Sequence, residues 1–384
     1  MGFTSQDDLL ADISAGQYLR QDGSKLTSPV HTAGGWHNLM TMNGYPVAST
    51  GPGTTLLWQN CDGNVGDGTN VIGINASGAP GGTATKHILN VGAMMVAAAG
   101  APWQAKLVDL QGYYRLASTD VTGTGSRALI NSNTFTASSS SGLLLTYTND
   151  FVSGTKVRFT TTTTLPTGLS LATDYWLIRV SATTARVAAS YADYVAGTAI
   201  SYTDAGTGTH TMTIQMPRYA NGVGCLAFFS VVTAPTAGGP NLSASSYTNS
   251  AGTPGRAFPG SPTMGAAADA YAGRVLHSGN AAGRYGAFLP LASGDTGVAS
   301  IQSFTFSGGT AYTGSGVLAL CIARPLLDLA LPVTGMWSER DLVNQLPSLP
   351  RVQDGACLVW MLFGTGATTA NSPLAFAIDY AWGG

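Results

Sequence analysis

The sequence is poor in charged side chains, which make up only 9% of its 384 residues, against about 25% in an average soluble chain. Glu339 is the single glutamate, and there are only four lysines. Because Glu and Lys favour helix surfaces, their scarcity argues against a helix-rich fold. Interface cores are depleted of Lys, Glu and Asp, so the composition predicts a surface covered largely by partner subunits. The alternative is a solitary β-protein with a Ser, Thr and Gly surface.

Further absences limit the partners and the compartment. The net charge is −2 and the arginines are scattered without a run, so the basic stripe of a nucleic-acid-binding surface is missing. The N-terminus carries Asp7, Asp8 and Asp12 in place of a basic segment and an apolar run, so we expect no signal peptide and folding in a cytoplasm. The longest apolar stretch, residues 91–102, contains glycines and is too short to span a bilayer. We therefore expect no nucleic acid and no membrane among the partners.

Sequence motifs of catalysis are also absent. There is no G-x-S-x-G elbow, no H-E-x-x-H motif and no P-loop. Glycoside hydrolysis needs two carboxylates at the scissile bond, and although Asp109 and Asp120 lie near predicted strands, nothing marks them as a pair. With one glutamate and five histidines, general acid–base catalysis is poorly supplied. We expect no enzymatic activity, no catalytic residue and no cofactor.

No group of residues has the spacing of an established metal site. The chain has four cysteines and no C-x-x-C pair: Cys61, Cys225, Cys321 and Cys357. The last three lie in apolar runs, which predicts buried free thiols. His31 and His37 lack a neighbouring carboxylate or cysteine that would complete a zinc site. The loop of residues 62–70 is rich in oxygen ligands but lacks EF-hand order, so tight Asx turns explain it as well as calcium does. We predict no metal, with calcium at this loop left open.

Glycine and small β-forming residues dominate what remains. The 50 glycines, together with frequent Thr, Val and Tyr, predict a β-rich fold with many tight turns. Short apolar runs between Gly, Asn, Pro and Asp predict strands along the chain. One helix is predicted to begin after the N-cap Ser5 and to end at Gly16. A second is predicted to begin at Ser338 and to end near Leu346.

Residues 125–215 differ in composition from the rest of the chain. Thr and Ser dominate there, and about seven short strands at regular spacing predict a small antiparallel sandwich. The segments on either side, residues 107–114 and 217–229, share a Gly-rich and aromatic-rich character. We therefore predict an all-β chain in which residues 1–124 and 216–384 form a β-sandwich or jelly-roll-like body with two short helices. Residues 125–215 are predicted to be inserted into a surface loop of that body.

Several stretches resemble proteins of tailed bacteriophages. Within the inserted segment they include Asp-Tyr-Trp-Leu-Ile-Arg-Val at 174–180 and cover residues 165–180, 185–190, 197–200 and 206–210. In order and spacing they resemble the Ig-like modules inserted into many tailed-phage structural proteins. The two ends, residues 3–9 and 338–351, resemble a phage virion protein found among head and structural genes. The resemblance implies a virion component without fixing head against tail, and an outward module that contacts host surfaces or carbohydrate weakly.

The sequence therefore predicts a non-enzymatic structural component of a tailed-phage virion, assembled in the bacterial host cytoplasm. We expect a head-decoration or minor capsid protein that forms a trimer or larger homo-oligomer and contacts the major capsid protein or other virion proteins. Its Ig-like module would face a host-surface glycan. The alternative is a tail-associated or fibre-like adhesin that binds host glycans, although fibres usually show repeats or heptads, which are absent here. A secreted carbohydrate-active enzyme is the third hypothesis.

Overall fold

The computed structural model describes residues 3, 5–27, 31, 33–39, 55–62, 72–73, 86–96, 102–122, 124–139, 144–266, 271–277, 286–344, 349–368 and 372–383. Strands account for 53% of the described residues and helices for 8%, which confirms the predicted β-rich class. The helices are α1 Gln6–Ser14, α2 Ser118–Thr122 and α3 Tyr191–Ala196. The first strands are β1 Tyr18–Thr27, β2 Gly35–Asn38, β3 Trp58–Asn60, β4 Ile72–Gly73, β5 Lys86–Met95, β6 Trp103–Leu116, β7 Ser126–Ala128, β8 Ser132–Ser138, β9 Leu144–Tyr147 and β10 Lys156–Thr161. The remaining strands are β11 Asp174–Ser181, β12 Thr184–Ala188, β13 His210–Ile214, β14 Leu226–Thr233, β15 Ala237–Asn249, β16 Val298–Thr313, β17 Val317–Leu331, β18 Ser338–Asp341, β19 Arg351–Val352, β20 Cys357–Gly364 and β21 Ser372–Trp382.

The N-terminal helix forms as the sequence predicts. The Ser5 side chain accepts a hydrogen bond from the Asp8 backbone N–H at 3.1 Å, which satisfies one of the free donors of the first turn. Leu9 is buried and fixes α1 on the body. Gly16 follows the helix with a φ of 83°, a left-handed conformation that suits glycine at a helix end. Within the described residues, every helix is too short or too polar to cross a bilayer.

The prediction of a second helix from Ser338 is wrong, because Ser338–Asp341 form strand β18 instead. This strand pairs antiparallel with β5, and Glu339 lies opposite Gly92. The next residue, Leu342, is buried and donates its backbone N–H to Leu89 O at 2.8 Å. The capping pattern around Ser338 is a local signal worth about 1 kcal/mol, and pairing with an existing sheet edge together with burial of Leu342 outweighs it.

Two large antiparallel sheets form most of the body. The first has the strand order β1-β21-β5-β18, with β19 also paired to β5, and the second has the order β14-β17-β6-β20-β2, with β3 and β4 at its margins. Their facing side chains form one apolar core in which Val91 and Ile378 of the first sheet meet Leu107 and Trp360 of the second. The two sheets therefore pack as layers, which buries the continuous apolar runs of β5, β6, β20 and β21.

A third sheet, with the order β15-β16-β7, lies beside the second sheet. Phe304 and Phe306 of β16 pack with Phe229 of β14 in a core that continues toward residues 132–214. The opposite face of the second sheet is also covered, and its buried side chains there include Cys321 and Met361. All four cysteines are buried and free, which confirms the prediction for the three thiols in apolar runs.

Residues 132–214 form a closed six-stranded barrel, with the strand order β10-β11-β12-β9-β8-β13. The two-sheet Ig-like sandwich predicted here is wrong in its connectivity, because β8 pairs with both β9 and β13 and the hydrogen-bonded ring has no gap. Closure removes the unpaired edges that a pair of small sheets would leave. We call the described residues between 132 and 214 the barrel, and the other described residues the body. The ends of the barrel meet where Ile214 N donates to Asn131 O at 2.9 Å.

Candidate functional site

A buried ion pair fixes the chain where it leaves the barrel. Arg218 donates two hydrogen bonds to the Asp109 carboxylate, at 2.9 and 2.7 Å, and two more to the carbonyl oxygens of Cys61 and Leu110. The Cys357 backbone N–H also donates to Asp109, at 3.0 Å. Burial alone lowers the pKa of the Arg218 guanidinium, but the attraction of Asp109 outweighs it and raises this pKa above its ordinary value. Asp109 therefore has a structural role.

The other carboxylate considered for catalysis has a separate local role. Asp120 lies in α2, and its carboxylate accepts a hydrogen bond from Ala117 N at 2.8 Å. Its backbone carbonyl accepts from Arg127 Nε at 3.2 Å. Within the described residues, no hydrogen bond or ion pair joins Asp109 to Asp120. The two carboxylates are thus held by separate partners, Asp109 by Arg218 and Asp120 by the backbone before α2.

A polar cavity of about 260 Å³ lies between the barrel and the body. The barrel contributes Lys156, Trp176 and Tyr191 to its wall, while Asn60 and Asp62 of the body line the opposite side. Arg351 of β19 and Asp354, from the segment between β19 and β20, complete the wall together with Arg218. Arg218 fixes the chain on β6 where it leaves the barrel. Lys156 of β10 and Tyr191 of α3 line the cavity together with Asn60 of β3.

Aromatic and charged side chains on the barrel wall of this cavity are held in fixed positions. The Trp176 and Tyr191 rings meet edge to face with their centroids 6.5 Å apart. Lys156 Nζ lies 5.5 Å from the Trp176 ring centroid and 2.7 Å from Asp174 Oδ2. The Tyr191 hydroxyl donates to the Asp62 carboxylate, with its oxygen 2.8 and 3.0 Å from the two carboxylate oxygens. This bond joins the barrel to the body across the cavity.

Asn60 lies on the body side of the cavity with an unsatisfied acceptor. Its side chain is 9% exposed, and Nδ2 donates to Gly154 O at 3.1 Å. Oδ1 is buried without a hydrogen-bond partner, an arrangement that costs free energy unless a donor is supplied. Of the loop considered for calcium, Asp62 is the described residue, and it lies at this site. Residues 63–70 lie outside the described residues, so the calcium question stays open.

The two histidines considered for zinc form a buried stacked pair. The His31 and His37 rings lie 3.5 Å apart at 12°, and each side chain is only 1% exposed. Burial, with the nearby Arg274 charge, lowers the pKa of His31 to about 3. Burial also lowers the pKa of His37, assisted by His31 and Arg274. Lone pairs of parallel rings do not converge on one ion, and the described part of the chain holds no group of three or more His, Cys, Asp or Glu suited to a metal.

Four apolar side chains form an exposed cluster beside the first sheet, and we call it the apolar patch. Val96 follows β5, and the other three lie on the turn between β17 and β18. Their exposed fractions are Val96 44%, Val333 48%, Met336 54% and Trp337 40%. The turn is fixed to β5, because Gly335 N donates to Met95 O at 2.8 Å and a Cβ at Gly92 would lie 2.5 Å from the Trp337 ring.

Comparison with known proteins does not identify a relative of this chain. A scan against protein-family models matches none, and a search of curated proteins finds none with significant similarity. The sequence analysis did not bring the cavity residues together, since Asn60, Trp176 and Arg351 are far apart in the chain. Trp176 and Arg351 lie in the stretches 174–180 and 338–351, but the resemblance assigns neither of them to a site. The only sequence signal near them was the change of composition at residue 125, which indicates a junction between two units.

Proposed function

We propose that this chain is a non-enzymatic structural component of a tailed-bacteriophage virion that assembles with copies of itself. Within that class we favour a head-decoration or minor capsid protein of trimeric or larger state. The observation that carries the proposal is the apolar patch, held on a surface that is poor in charge. Contiguous exposed apolar side chains on a folded protein mark interaction sites. A body of packed sandwich or jelly-roll-like sheets supplies the rigid frame for repeated contacts.

The chemistry of the patch favours another copy of this chain or a lattice neighbour as its partner. Trp and Met are enriched at protein interfaces, whereas Lys, Glu and Asp are depleted there. The net charge of −2 gives only weak repulsion between copies, because association is favoured when net charge is near zero. Hydrogen bonding of the turn at Gly335 fixes the patch before association, so little conformational entropy is lost on binding.

The oligomeric state of the purified chain tests the assembly proposal. We expect the wild-type protein to sediment as a trimer or larger species, and the double variant Met336→Ser/Trp337→Ser to shift toward monomer. Leu171→Ser is the matched control, because Leu171 is equally apolar and 60% exposed but lies on the barrel. A wild-type protein that remains a freely soluble monomer, with no affinity for phage heads or tails, would contradict the proposal.

We further propose that the barrel is an inserted module that points away from the assembled surface. Support comes from the hydrogen bond between Ile214 N and Asn131 O, since adjacent ends allow a unit to be inserted without disturbing its host. Strand β7 pairs with β16 of the body, so an excision should retain it. Replacing residues 132–214 by two glycines should leave a folded body that still assembles. Loss of folding in that variant would show that the barrel is integral to the body.

Antibody labelling of purified particles would distinguish the location in the virion. We expect label against the barrel to decorate heads at regular positions in negative-stain images. Label confined to the tail would overturn the head assignment and favour the alternative, a tail-associated adhesin. Absence of label on intact particles, with label on disrupted ones, would contradict the outward orientation of the barrel.

A further inference from the structure

We propose that β1 forms a second contact between copies of this chain, in which two β1 strands pair antiparallel about a two-fold axis at Gln21. The proposal rests on the proposed self-assembly and adds to it a contact that is separate from the apolar patch. Its basis is the combination of a long open sheet edge, backbone groups directed away from the sheet, and charges that complement themselves in a single register.

Strand β1 is an open edge of the first sheet. Its ten residues pair, within the described part of the chain, with β21 alone. The other long edge strands of the body are covered by loops, since Val275 bridges to β14 and both Arg256 and Thr263 bridge to β15. No such bridge joins β1 to the described residues. A long uncovered edge is a template on which another strand can pair.

The backbone groups at this edge follow from the pairing of β1 with β21. Trp382 N donates to Gln17 O directly before β1, and the register that follows has no bulge. In an antiparallel ladder, alternate residues bond to the neighbouring strand, and the residues between them direct N–H and C=O to the other side. The even-numbered residues from Tyr18 to Ser24 therefore present their backbone donors and acceptors at the open edge. A strand added there would satisfy them.

The charges of β1 select one register for such a pair. Arg20 Nε lies 3.1 Å from Asp22 Oδ1 on one face of the strand, and the two side chains are 48% and 66% exposed. With the two-fold axis at Gln21, each Arg20 lies opposite the Asp22 of the other copy, so opposite charges meet twice. An axis at Arg20 or at Asp22 would place like charges opposite each other. Protected edges commonly carry lysine or proline, whereas the charges here are self-complementary.

The proposed contact has the size of a specific interface. Pairing from Tyr18 to Ser24 gives about eight backbone hydrogen bonds, against about ten in a typical protein interface. The register keeps the exposed side chains of both copies on the same outer face, so the two five-stranded sheets continue into one another. Because the contact is isologous, the same strand supplies both halves.

Cross-linking of the full-length protein through Gln21→Cys tests the register. Residues at the axis form a non-hydrogen-bonded pair with Cα atoms about 4.5 Å apart, a separation that a disulfide can span. We expect oxidised glutathione to convert this variant into a covalent dimer on a non-reducing gel. Two protein thiols lose two protons and two electrons as one glutathione disulfide becomes two thiols. The native cysteines are buried, so they should not contribute to the dimer.

The matched control for cross-linking is Leu19→Cys. Residue 19 lies on the same face of β1 as residue 21, but in the proposed register it is about 13 Å or more from its counterpart. The variant should therefore run as a monomer on the same gel. Equal cross-linking through Gln21→Cys and Leu19→Cys would overturn the register and indicate random collisions.

Two further variants test the charges and the backbone groups separately. Asp22→Arg places like charges opposite each other twice, and it should weaken the two-fold contact by about tenfold or more in sedimentation equilibrium. Its control, Asp7→Arg, changes the net charge equally at an exposed position of α1 and should have no such effect. Ser24→Pro removes an N–H at the open edge, where a folded strand tolerates proline, so the fold should survive while cross-linking through Gln21→Cys is lost.

The outcomes distinguish this contact from the apolar patch. No dimer through Gln21→Cys, with Asp22→Arg assembling as the wild type and Met336→Ser/Trp337→Ser still dissociating, would overturn the β1 contact and leave the proposed function standing. A dimer through Gln21→Cys in a protein whose assembly is insensitive to the patch variant would support the β1 contact and contradict the role of the patch.

Discussion

Strands of the barrel and strands of the body are buried in different ways. In the barrel, burial alternates along strands such as β8, where every second side chain is buried, and β13. In the body, β20 has seven of its eight side chains buried, and β5 is buried along nearly its whole length. The difference follows from coverage, because a barrel strand faces solvent on its outer side whereas β20 has apolar cores against both faces.

The most deeply buried ion pair of the body differs from the ion pairs of the barrel. Barrel pairs such as Arg179–Asp150 have partly exposed cations at the rim, where water shares the interaction. The Arg218–Asp109 pair of the body is almost fully buried, with side-chain exposures of 4% and 0%. This pair lies where the chain leaves the barrel, whereas other pairs of the body, such as Arg20–Asp22, are exposed. The comparison predicts that equivalent substitutions have unequal effects in the two regions.

The largest expected effect comes from breaking the buried pair. Asp109→Ala leaves the Arg218 guanidinium buried without its counter-charge, and we expect the free energy of unfolding to fall by about 3–5 kcal/mol. Denaturant unfolding followed by circular dichroism measures the loss. The double variant Asp109→Leu/Arg218→Met should be more stable than Asp109→Ala, because it removes both charges. If Asp109→Ala costs less than 1 kcal/mol, the pair does not hold the junction.

Acid should weaken the body through the stacked histidines. The unfolded chain binds protons below the ordinary histidine pKa of 6.5, whereas burial and Arg274 lower the pKa of native His31 to about 3. Stability is therefore complete above pH 6.5 and falls as pH decreases toward 3, by about 1.4 kcal/mol per pH unit for each histidine kept neutral. Thermal unfolding measured from pH 7 to pH 4 gives this slope. His31→Phe keeps the stacked ring and should reduce the slope, and an unchanged pH profile in that variant would contradict the assignment.

The sequence predicted the strands best where burial alternates. Strands β10 to β13 follow the apolar–polar alternation of their segment, since that pattern reports directly which face is covered. Alternation does not report how strands pair with one another. It therefore predicted a sandwich, whereas β8 pairs with both β9 and β13 and the six strands close into a ring. At Ser338, a helix-capping pattern was overridden by the edge of β5, which is distant in the chain.

The cavity could not be predicted because its residues share no sequence neighbourhood. Asn60, Trp176 and Arg351 lie on β3, β11 and β19, which belong to the two large sheets and the barrel, and only the tertiary packing of these three units brings them together. The tryptophans follow no rhythm that would separate Trp176 from those in the core. Trp337, which directly precedes the helix predicted from Ser338, lies exposed on a turn. Burial of individual aromatic side chains is decided by tertiary packing, which the sequence pattern does not encode.

Two glycines resist substitution for different reasons. Crowding limits substitution at Gly112 in the body, and backbone conformation limits it at Gly197 in the barrel. A Cβ at Gly112 in β6 would lie 2.4 Å from Gln59 O and 2.5 Å from the Trp58 ring, so Gly112→Ala should cost about 1–3 kcal/mol. Gly197 ends α3 at a φ of 72° with open space around it. Asn tolerates that conformation better than Ala, so Gly197→Asn should be less destabilising than Gly197→Ala. At Gly112 the order should reverse, because Asn is larger, and the same order at both sites would contradict this distinction.

The smallest expected effect lies at the barrel rim. Arg179 forms two hydrogen bonds with Asp150, at 2.6 and 2.8 Å, yet its side chain is 36% exposed. Exposed pairs contribute about 0–1 kcal/mol, so Arg179→Ala should lower the free energy of unfolding by less than 1 kcal/mol, and the loss should shrink further in high salt. Measured beside Asp109→Ala under the same conditions, it compares a partly exposed pair with a buried one, since both carboxylates meet an arginine in two-bonded geometry. A loss at Arg179 as large as that at Asp109 would mean that geometry rather than burial sets the strength of these pairs.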